Sequence, residues 1–400
     1  MVYQNDFRGE KLSGLGFGTM RLPLIPGGTQ GSIDQAELDA MVDFAIANGV
    51  NYFDTAYPYH EGLSELAIGK SLSRYPRETW NLATKFPGHQ IMKAYNPAEV
   101  FEEQLEKCGV EYFDYYLLHN VNEKSIRTYM DPKWGIMDYF ISQKHAGKIR
   151  HLGFSSHGEL ATLHEFIGAY GDELEFCQIQ LNYLDWTLQK AKEKYDYLTE
   201  AGLGVWVMEP VHGGKLTKLD VVSEEELRAL RSEESIPAFA FRFLQRLPNV
   251  KMILSGMSNL DQMKDNVKTF SERKALTDEE TDVILGVAER LKNAVPCTGC
   301  RYCCDGCPMG IDIPKLIAFY NEAKLAPSFN LEIAVSSVPE EHMPSACIGC
   351  GQCAAICPQN LDIPSLMPEM DAEFRKLPSW VEVCKQREAA AEALKKSKGK

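Results

Sequence analysis

The chain has 400 residues, an apolar fraction of 44%, a charged fraction of 24% and a formal net charge of −14. This is the composition of an ordinary globular protein, and its acidic balance argues against binding nucleic acid or anionic membrane surfaces, both of which need a basic face. The sequence has no run of about 18 apolar residues and no apolar core behind a basic start. Neither a transmembrane helix nor a signal peptide is therefore expected, and the location expected is cytoplasmic.

The first 260 residues alternate between short β-rich runs and helix-length amphipathic stretches. The expected strands are Leu15–Gly18, Asn51–Thr55, Trp80–Thr84, Phe113–Leu118, Ile149–Phe154, Phe176–Leu181, Gly204–Met208 and Lys251–Leu254. Each interval has room for a crossover helix, as parallel βαβ units require. Ser32 with Gln35 reads as a capping box for a helix over Ile33–Asn48, which Gly49 closes. Eight such units predict an α/β chain folded as a closed (β/α)8 barrel over residues 1–292. Thr19, Asp54, Lys85, His119, Ser155, Ser156, Asn182, Glu209 and Ser255 all fall at or just past strand ends. In this fold those ends converge on one mouth, where chemistry is done.

A last helix is expected from Thr277, whose spacing to Glu280 is a second capping box, to about Lys292. Pro296 ends it, and the composition changes. Of twelve cysteines, only Cys108 and Cys177 precede residue 297, whereas nine lie between Cys297 and Cys357. Cys297, Cys300, Cys303, Cys307 and Pro308 return 50 residues later as Cys347, Cys350, Cys353, Cys357 and Pro358. Ile311-Asp312-Ile313-Pro314 likewise returns as Leu361-Asp362-Ile363-Pro364, each proline placed to open a helix. A second domain is expected over 293–385, mainly helical, followed by a basic tail over 386–400.

Both repeats read C-x2-C-x2-C-x3-C-P, the bacterial ferredoxin spacing. Structural zinc prefers two separated C-x2-C pairs and fits this pattern poorly. Two [4Fe–4S] clusters are expected. In two-cluster ferredoxins the fourth cysteine serves the other cluster. That implies one set of Cys297, Cys300, Cys303 and Cys357, and another of Cys347, Cys350, Cys353 and Cys307. Cys304 aligns with Ala354 and is read as a small residue near the cluster; Cys108, Cys177 and Cys384 are read as small hydrophobes. The helix-compatible segments Lys315–Lys324 and Ser365–Arg375 make the domain resemble the α-helical ferredoxin type.

Asn51-Tyr52-Phe53-Asp54-Thr55-Ala56 followed by Tyr59, Ala83-Thr84-Lys85, and Tyr116-Leu117-Leu118-His119 each accompany an expected strand, and in these three elements the barrel resembles the aldo-keto reductase family. The resemblance implies a catalytic tetrad of Asp54, Tyr59, Lys85 and His119. Chemistry supports these types: carbonyl reduction needs a positioned acid, and a nearby ammonium makes a tyrosine of pKa about 10 a better one. Asp54 would hold Lys85 through an ion pair, and His119 would orient the substrate oxygen.

The resemblance also implies NAD(P)H at the mouth, contacted by Gly18, Thr19, Met20, Asp54, Ser155, Ser156, Gln180, Met208, Pro210, Ser255, Gly256, Gln262 and Asn266. Residues 256–266 hold Lys264 as their sole basic residue and lack the arginine that grips a 2′-phosphate bidentately, which leaves NADH and NADPH both open. The expected function is oxidoreduction of a small carbonyl compound, with a ferredoxin or other electron-transfer protein as possible partner. An electron-transfer module or redox sensor with a catalytically idle barrel is the alternative. No flavin motif is present to link hydride and one-electron chemistry, and the loops 87–96, 120–133 and 211–222 that would set the substrate carry no legible specificity.

Overall fold

A computed structural model describes residues 1–90, 95–291, 295–325 and 329–377. The expected tail over 386–400, Cys384 and the expected boundary at 292/293 lie outside the described residues. The chain divides into two compact units, one of residues 1–212 and 225–288, the other of 213–224 and 289–400. Among the described residues no helix is long and apolar enough to cross a membrane.

The first unit opens with a hairpin, β1 (Gln4–Phe7) and β2 (Glu10–Ser13), paired antiparallel from Gln4↔Ser13 to Phe7↔Glu10. Eight further strands follow: β3 (Leu15–Gly18), β4 (Tyr52–Asp54), β5 (Asn81–Phe86), β6 (Phe113–Val121), β7 (Ile149–Ser156), β8 (Phe176–Gln180), β9 (Gly204–Met208) and β10 (Val250–Ser255). They close in the order β10-β3-β4-β5-β6-β7-β8-β9, every pair parallel. Strands covered on both faces read as apolar runs rather than alternations, and all of Phe113–Val121 is buried.

Sequence patterning missed the hairpin, because each strand has four residues and several are polar. Its function is structural. Phe7 packs edge-on to Trp206 at 4.7 Å and joins Leu12, Tyr52, Tyr115 and Phe176 in one buried cluster inside the barrel.

Two helix starts test the capping patterns. Thr277 and Glu280 form the expected reciprocal box: Glu280 N donates to Thr277 Oγ1 at 3.2 Å and Thr277 N to Glu280 Oε2 at 2.8 Å, opening the helix Asp278–Leu291. The box expected at Ser32 does not form. The first helix is Gln35–Ala47, capped by Asp34, whose carboxylate accepts from Ala36 N and Glu37 N. Ser32 Oγ instead accepts from Thr29 N at 3.1 Å, inside the preceding turn. An aspartate one residue from the helix outcompetes a serine three residues away.

The second unit is mainly helical, with Ile313–Leu325, Phe329–Ser336 and Ile363–Phe374 as its longer helices. Its core gathers Ile311, Leu316, Ile317, Met367, Met370 and Phe374 around the buried Cys303 and Cys353. The 50-residue repeat is written in the backbone: Gly299 and Gly349, Arg301 and Gly351, and Gly310 and Asn360 form equivalent pairs, all left-handed with φ between +52° and +77°. The segment after β9 belongs to this unit. Arg290 donates to Ser223 Oγ at 3.1 Å, and a Cβ on Gly213 (φ +65°) would stand 2.2 Å from the Thr298 carbonyl oxygen, so only glycine fits.

Candidate active site and cluster-binding cysteines

Asp54 ends β4, and Lys85 lies two residues beyond Ala83, its register partner on β5. Alternate residues share a strand face, so the lysine reaches back to the aspartate. Lys85 Nζ donates to Asp54 Oδ1 at 2.6 Å and to the Thr55 carbonyl at 2.7 Å. Both side chains are sealed from solvent. Burial lowers the Lys85 ammonium and raises the Asp54 carboxyl, each opposed by the charge of the other.

Tyr59 stands beside this pair, its ring centroid 5.0 Å from Lys85 Nζ and 5.9 Å from the His119 ring. It begins a short turn, Tyr59–Gly62, in which His60 and Glu61 are held left-handed at φ +52° and +57°. His60 secures that turn: its Nε2 accepts from Leu22 N at 3.1 Å and its Nδ1 donates to the Gln30 carbonyl at 2.7 Å. Burial pushes the Tyr59 phenol well above its ordinary value, Asp54 and Glu209 add to the rise, and Arg21 opposes it.

His119 sits where the register of β6 against β7 shifts between Leu118 and Val121, with Asn120 at φ +54°. Such irregularities re-aim side chains at sheet ends. Burial holds His119 well below the ordinary histidine value, with His89, Lys85 and His157 adding. Its Nδ1 is buried without a hydrogen-bond partner, a vacancy that a ligand oxygen would satisfy. The four tetrad residues expected from sequence thus stand together.

Most of the expected nucleotide contacts lie at or just past strand ends, with Gln262 and Asn266 on the helix Leu260–Phe270, but internal partners already engage several of them. Thr19 Oγ1 shares a 2.7 Å hydrogen bond with Ser64 Oγ, and Ser155 Oγ accepts from Asn120 N at 2.8 Å. Ser156 Oγ donates to Val121 O and accepts from Gly158 N, while Gln180 Nε2 donates to Asp185 Oδ2 at 2.9 Å. Gln178 Nε2 lies 3.7 Å from Met208 Sδ, Ser255 Oγ accepts from Asn266 at 2.9 Å, and Gln262 accepts from Ser258 N at 2.8 Å. Gly18 closes β3, Met20 lies in the following turn, Pro210 is buried past β9, and Gly256 follows β10 beside Arg21.

Sequence reading passed over several residues here. His89 packs against His119 with ring centroids at 4.3 Å, and Arg21 pairs with Glu209 at 3.4 Å. Buried Asp185 accepts from Asn182 and pairs with His212 Nδ1 at 2.9 Å. Burial raises the Asp185 carboxyl, but His212 and the amides of Gln180 and Asn182 outweigh it and the net shift is downward. His89 and His157 follow β5 and β7 closely, so the strand-end rule applied to the other residues would have found both.

In the second unit, Cys307 lines one cavity with Cys347, Cys350 and Cys353, together with Met309, Ile311, Ile313 and Met367. Thiols on a largely apolar wall suit a cluster that thiolates ligate and apolar residues shield. In the other motif, the Cys304 hydrogen bond, burial, and the nearby Cys300 and Cys297 together raise the Cys303 thiol. Cys357 packs on the same core. Among the described residues, no group of three or more His, Cys, Asp or Glu side chains has the geometry of a single-ion site. A cubane spaces its thiolates more widely than one ion does. Cys304 is half-buried, its sulfur 4.0 Å from Asp312 Oδ1, and Cys108 and Cys177 are buried.

Comparison with known proteins follows the same division. The profile of the Aldo/keto reductase family matches residues 14–289, and that of the 4Fe-4S dicluster domain matches residues 296–361. The NADH-specific methylglyoxal reductase of Escherichia coli K12 is 25% identical over 327 residues, covering 70% of this chain and 96% of its own. The L-galactose dehydrogenase of Arabidopsis thaliana is 26% identical over 320 residues, covering 71% and 93%. An aldo-keto reductase of Bacillus halodurans, solved in its holo form, shares 25% identity at a TM-score of 0.56, over 72% of this chain and 96% of that one.

Proposed function

This chain belongs to the aldo/keto reductase family and carries a 4Fe-4S domain after the barrel, and from that premise we propose that it reduces a small carbonyl compound with NADH or NADPH, using Tyr59 as the proton donor. The observation that carries this reading is the sealed Lys85–Asp54 pair with Tyr59 and His119 gathered around it. A bound reduced nicotinamide supplies hydride to the carbonyl carbon. Tyr59 donates its hydroxyl proton to the carbonyl oxygen, and the Lys85 ammonium resists the build-up of negative charge on the phenolate left behind. Asp54 holds Lys85 in place. Neutral His119 offers an N–H to the carbonyl oxygen and orients it.

Ser155, Ser156 and Gln180 would hold the carboxamide of a bound nicotinamide, and Ser255, Gly256, Gln262 and Asn266 the far end of the nucleotide. Lys264 is half exposed and 3.5 Å from Asp261, so little is left to grip a 2′-phosphate. NADH and NADPH should differ by less than about tenfold in kcat/KM. In the second unit Cys297, Cys300, Cys303 and Cys357 would hold one [4Fe–4S] cluster and Cys347, Cys350, Cys353 and Cys307 another; the shared cavity of Cys307, Cys347, Cys350 and Cys353 supports the second set.

The test is Tyr59→Phe, assayed against short aldehydes and ketones with both nicotinamides. Loss of turnover with unchanged cluster absorption is expected; unchanged turnover sinks the reading. One observation favours a further role in electron transfer. Cys350, an expected ligand, is exposed to solvent, where a purely structural cluster would gain nothing.

A further inference from the structure

The two cysteine motifs share one spacing and one backbone course, so differences between them are informative. In the first motif, Thr298 lies between Cys297 and Gly299 and is only 3% exposed. The close approach of Gly213 covers its carbonyl. In the second motif the equivalent residue is Ile348, which is 64% exposed although it lines the cysteine cavity. Gly349 and Cys350 beside it are also exposed, whereas Gly299 and Cys300 are half-buried. A large apolar side chain has been placed in water at the lip of one site and a covered threonine at the same point of the other.

Charge divides in the same way. Around the first motif Arg301, Lys315 and Lys324 are balanced by Asp305, Asp312 and Glu322, whereas no lysine or arginine occurs between Lys324 and Arg375. That interval carries Glu340, Glu341, Asp362 and Glu369. The first three are exposed, and Glu369 accepts a hydrogen bond from Tyr320. Thiolate-ligated clusters add negative charge of their own.

We infer that the second motif is the electron port of this protein, and that the Cys347–Cys350 loop, with Ile348 exposed in it and in a segment that carries exposed acidic residues but no lysine or arginine, docks a one-electron carrier protein presenting a positively charged face. This rests on the two-cluster reading above. One electron crosses at each encounter: the carrier changes oxidation state by one and the cluster by one in the opposite sense, with no bond made or broken. The first motif, covered at Thr298, exchanges with no external protein directly. An exposed apolar contact on a segment of one sign of charge fits a transient complex, in which charge steers the encounter and a small dry centre sets the geometry.

Cytochrome c, a basic one-electron protein, serves as the probe. Holoprotein reduced anaerobically is mixed with ferric cytochrome c, and the second-order rate is followed against salt. The rate should fall as salt rises, and Ile348→Lys should lower it about tenfold or more. Asp305→Lys, a like charge on the exposed surface of the first motif, should change it less than about twofold. Reduction of neutral 1,4-benzoquinone should be the same in the wild type and Asp305→Lys, and Ile348→Lys should keep the iron content and paramagnetic signals of the wild type. Equal losses in the two variants, or none at Ile348→Lys, overturn the inference. Iron, sulfide and the paramagnetic signals of the reduced protein are measured in parallel. Wild-type protein with fewer than two clusters overturns the two-cluster reading instead, so the two failures are distinguishable.

Discussion

Lys85 Nζ stands 2.6 Å from Asp54 Oδ1, and neither side chain has appreciable contact with solvent. Two opposite charges taken from water stabilise little as a pair, but either one left alone is costly. Asp54→Ala should therefore destabilise the barrel by about 3–5 kcal/mol in chemical denaturation. The double variant Asp54→Leu/Lys85→Met should recover most of that loss while remaining inactive. Comparable losses in the single and double variants would show that the pair is not a coupled unit.

Proton donation by Tyr59 sets a pH profile whose sign follows from burial. The phenol is pushed well above about 10, so it keeps its proton across the neutral range and loses it only in strong alkali. His119 is pushed below 6.5 and stays neutral from there upward. Carbonyl reduction should accordingly be level between roughly pH 7 and 9. Oxidation of the alcohol product requires the phenolate and should rise about tenfold per pH unit over the same span. A reduction profile with a limb near pH 8 would remove Tyr59 as the acid.

Gly213 lies in the left-handed region, and its missing Cβ would meet the Thr298 carbonyl oxygen at 2.2 Å. Gly213→Val therefore combines backbone strain with a backbone clash, together about 2–4 kcal/mol. Faster hydrogen exchange is expected around Thr298 in the holoprotein, with β3–β8 unchanged. Unaltered exchange at Thr298 would mean that the loop does not bear on the first motif.

Cys303 and Cys353 are part of the core of the second unit, not of its surface. Binding energy in small cluster domains is folding energy. Oxidative removal of iron with a chelator should unprotect the helices Ile313–Leu325 and Ile363–Phe374 in hydrogen exchange while the barrel strands stay protected. Retained protection of those helices would show that the apolar core suffices alone.

The box joining Thr277 and Glu280 satisfies two backbone N–H groups. Thr277→Ala should cost about 1 kcal/mol of barrel stability, measured by denaturant midpoint at constant slope. A shift of less than a few tenths would show that water caps the helix equally well.

Most of the candidate site was legible because barrel chemistry sits at strand ends. Apolar runs located the strands, and the next polar residue located Asp54, Lys85 and His119. His60, Arg21 and the Asp185–His212 pair escaped that rule. Their partners lie on other segments, Leu22 and Gln30 for His60, Glu209 for Arg21 and His212 for Asp185, and no local pattern announces such pairing. The hairpin that fills the barrel interior escaped for the opposite reason: four-residue strands with polar alternation carry too little signal.

What the sequence determined alone was periodic or local: strand–helix alternation, the Thr277 cap, the cysteine spacing and the 50-residue repeat. These depend on backbone geometry within a few residues, which side-chain order encodes directly. What only tertiary structure decided was burial and neighbourhood. Burial set Tyr59 upward where an adjacent lysine promised the reverse, because loss of water penalises the phenolate and the carboxylates of Asp54 and Glu209 add to the rise. Neighbourhood likewise separated two motifs of identical spacing, covering Thr298 and leaving Ile348 in water. A charge and a surface acquire their effect from what surrounds them, and those surroundings come from distant parts of the chain.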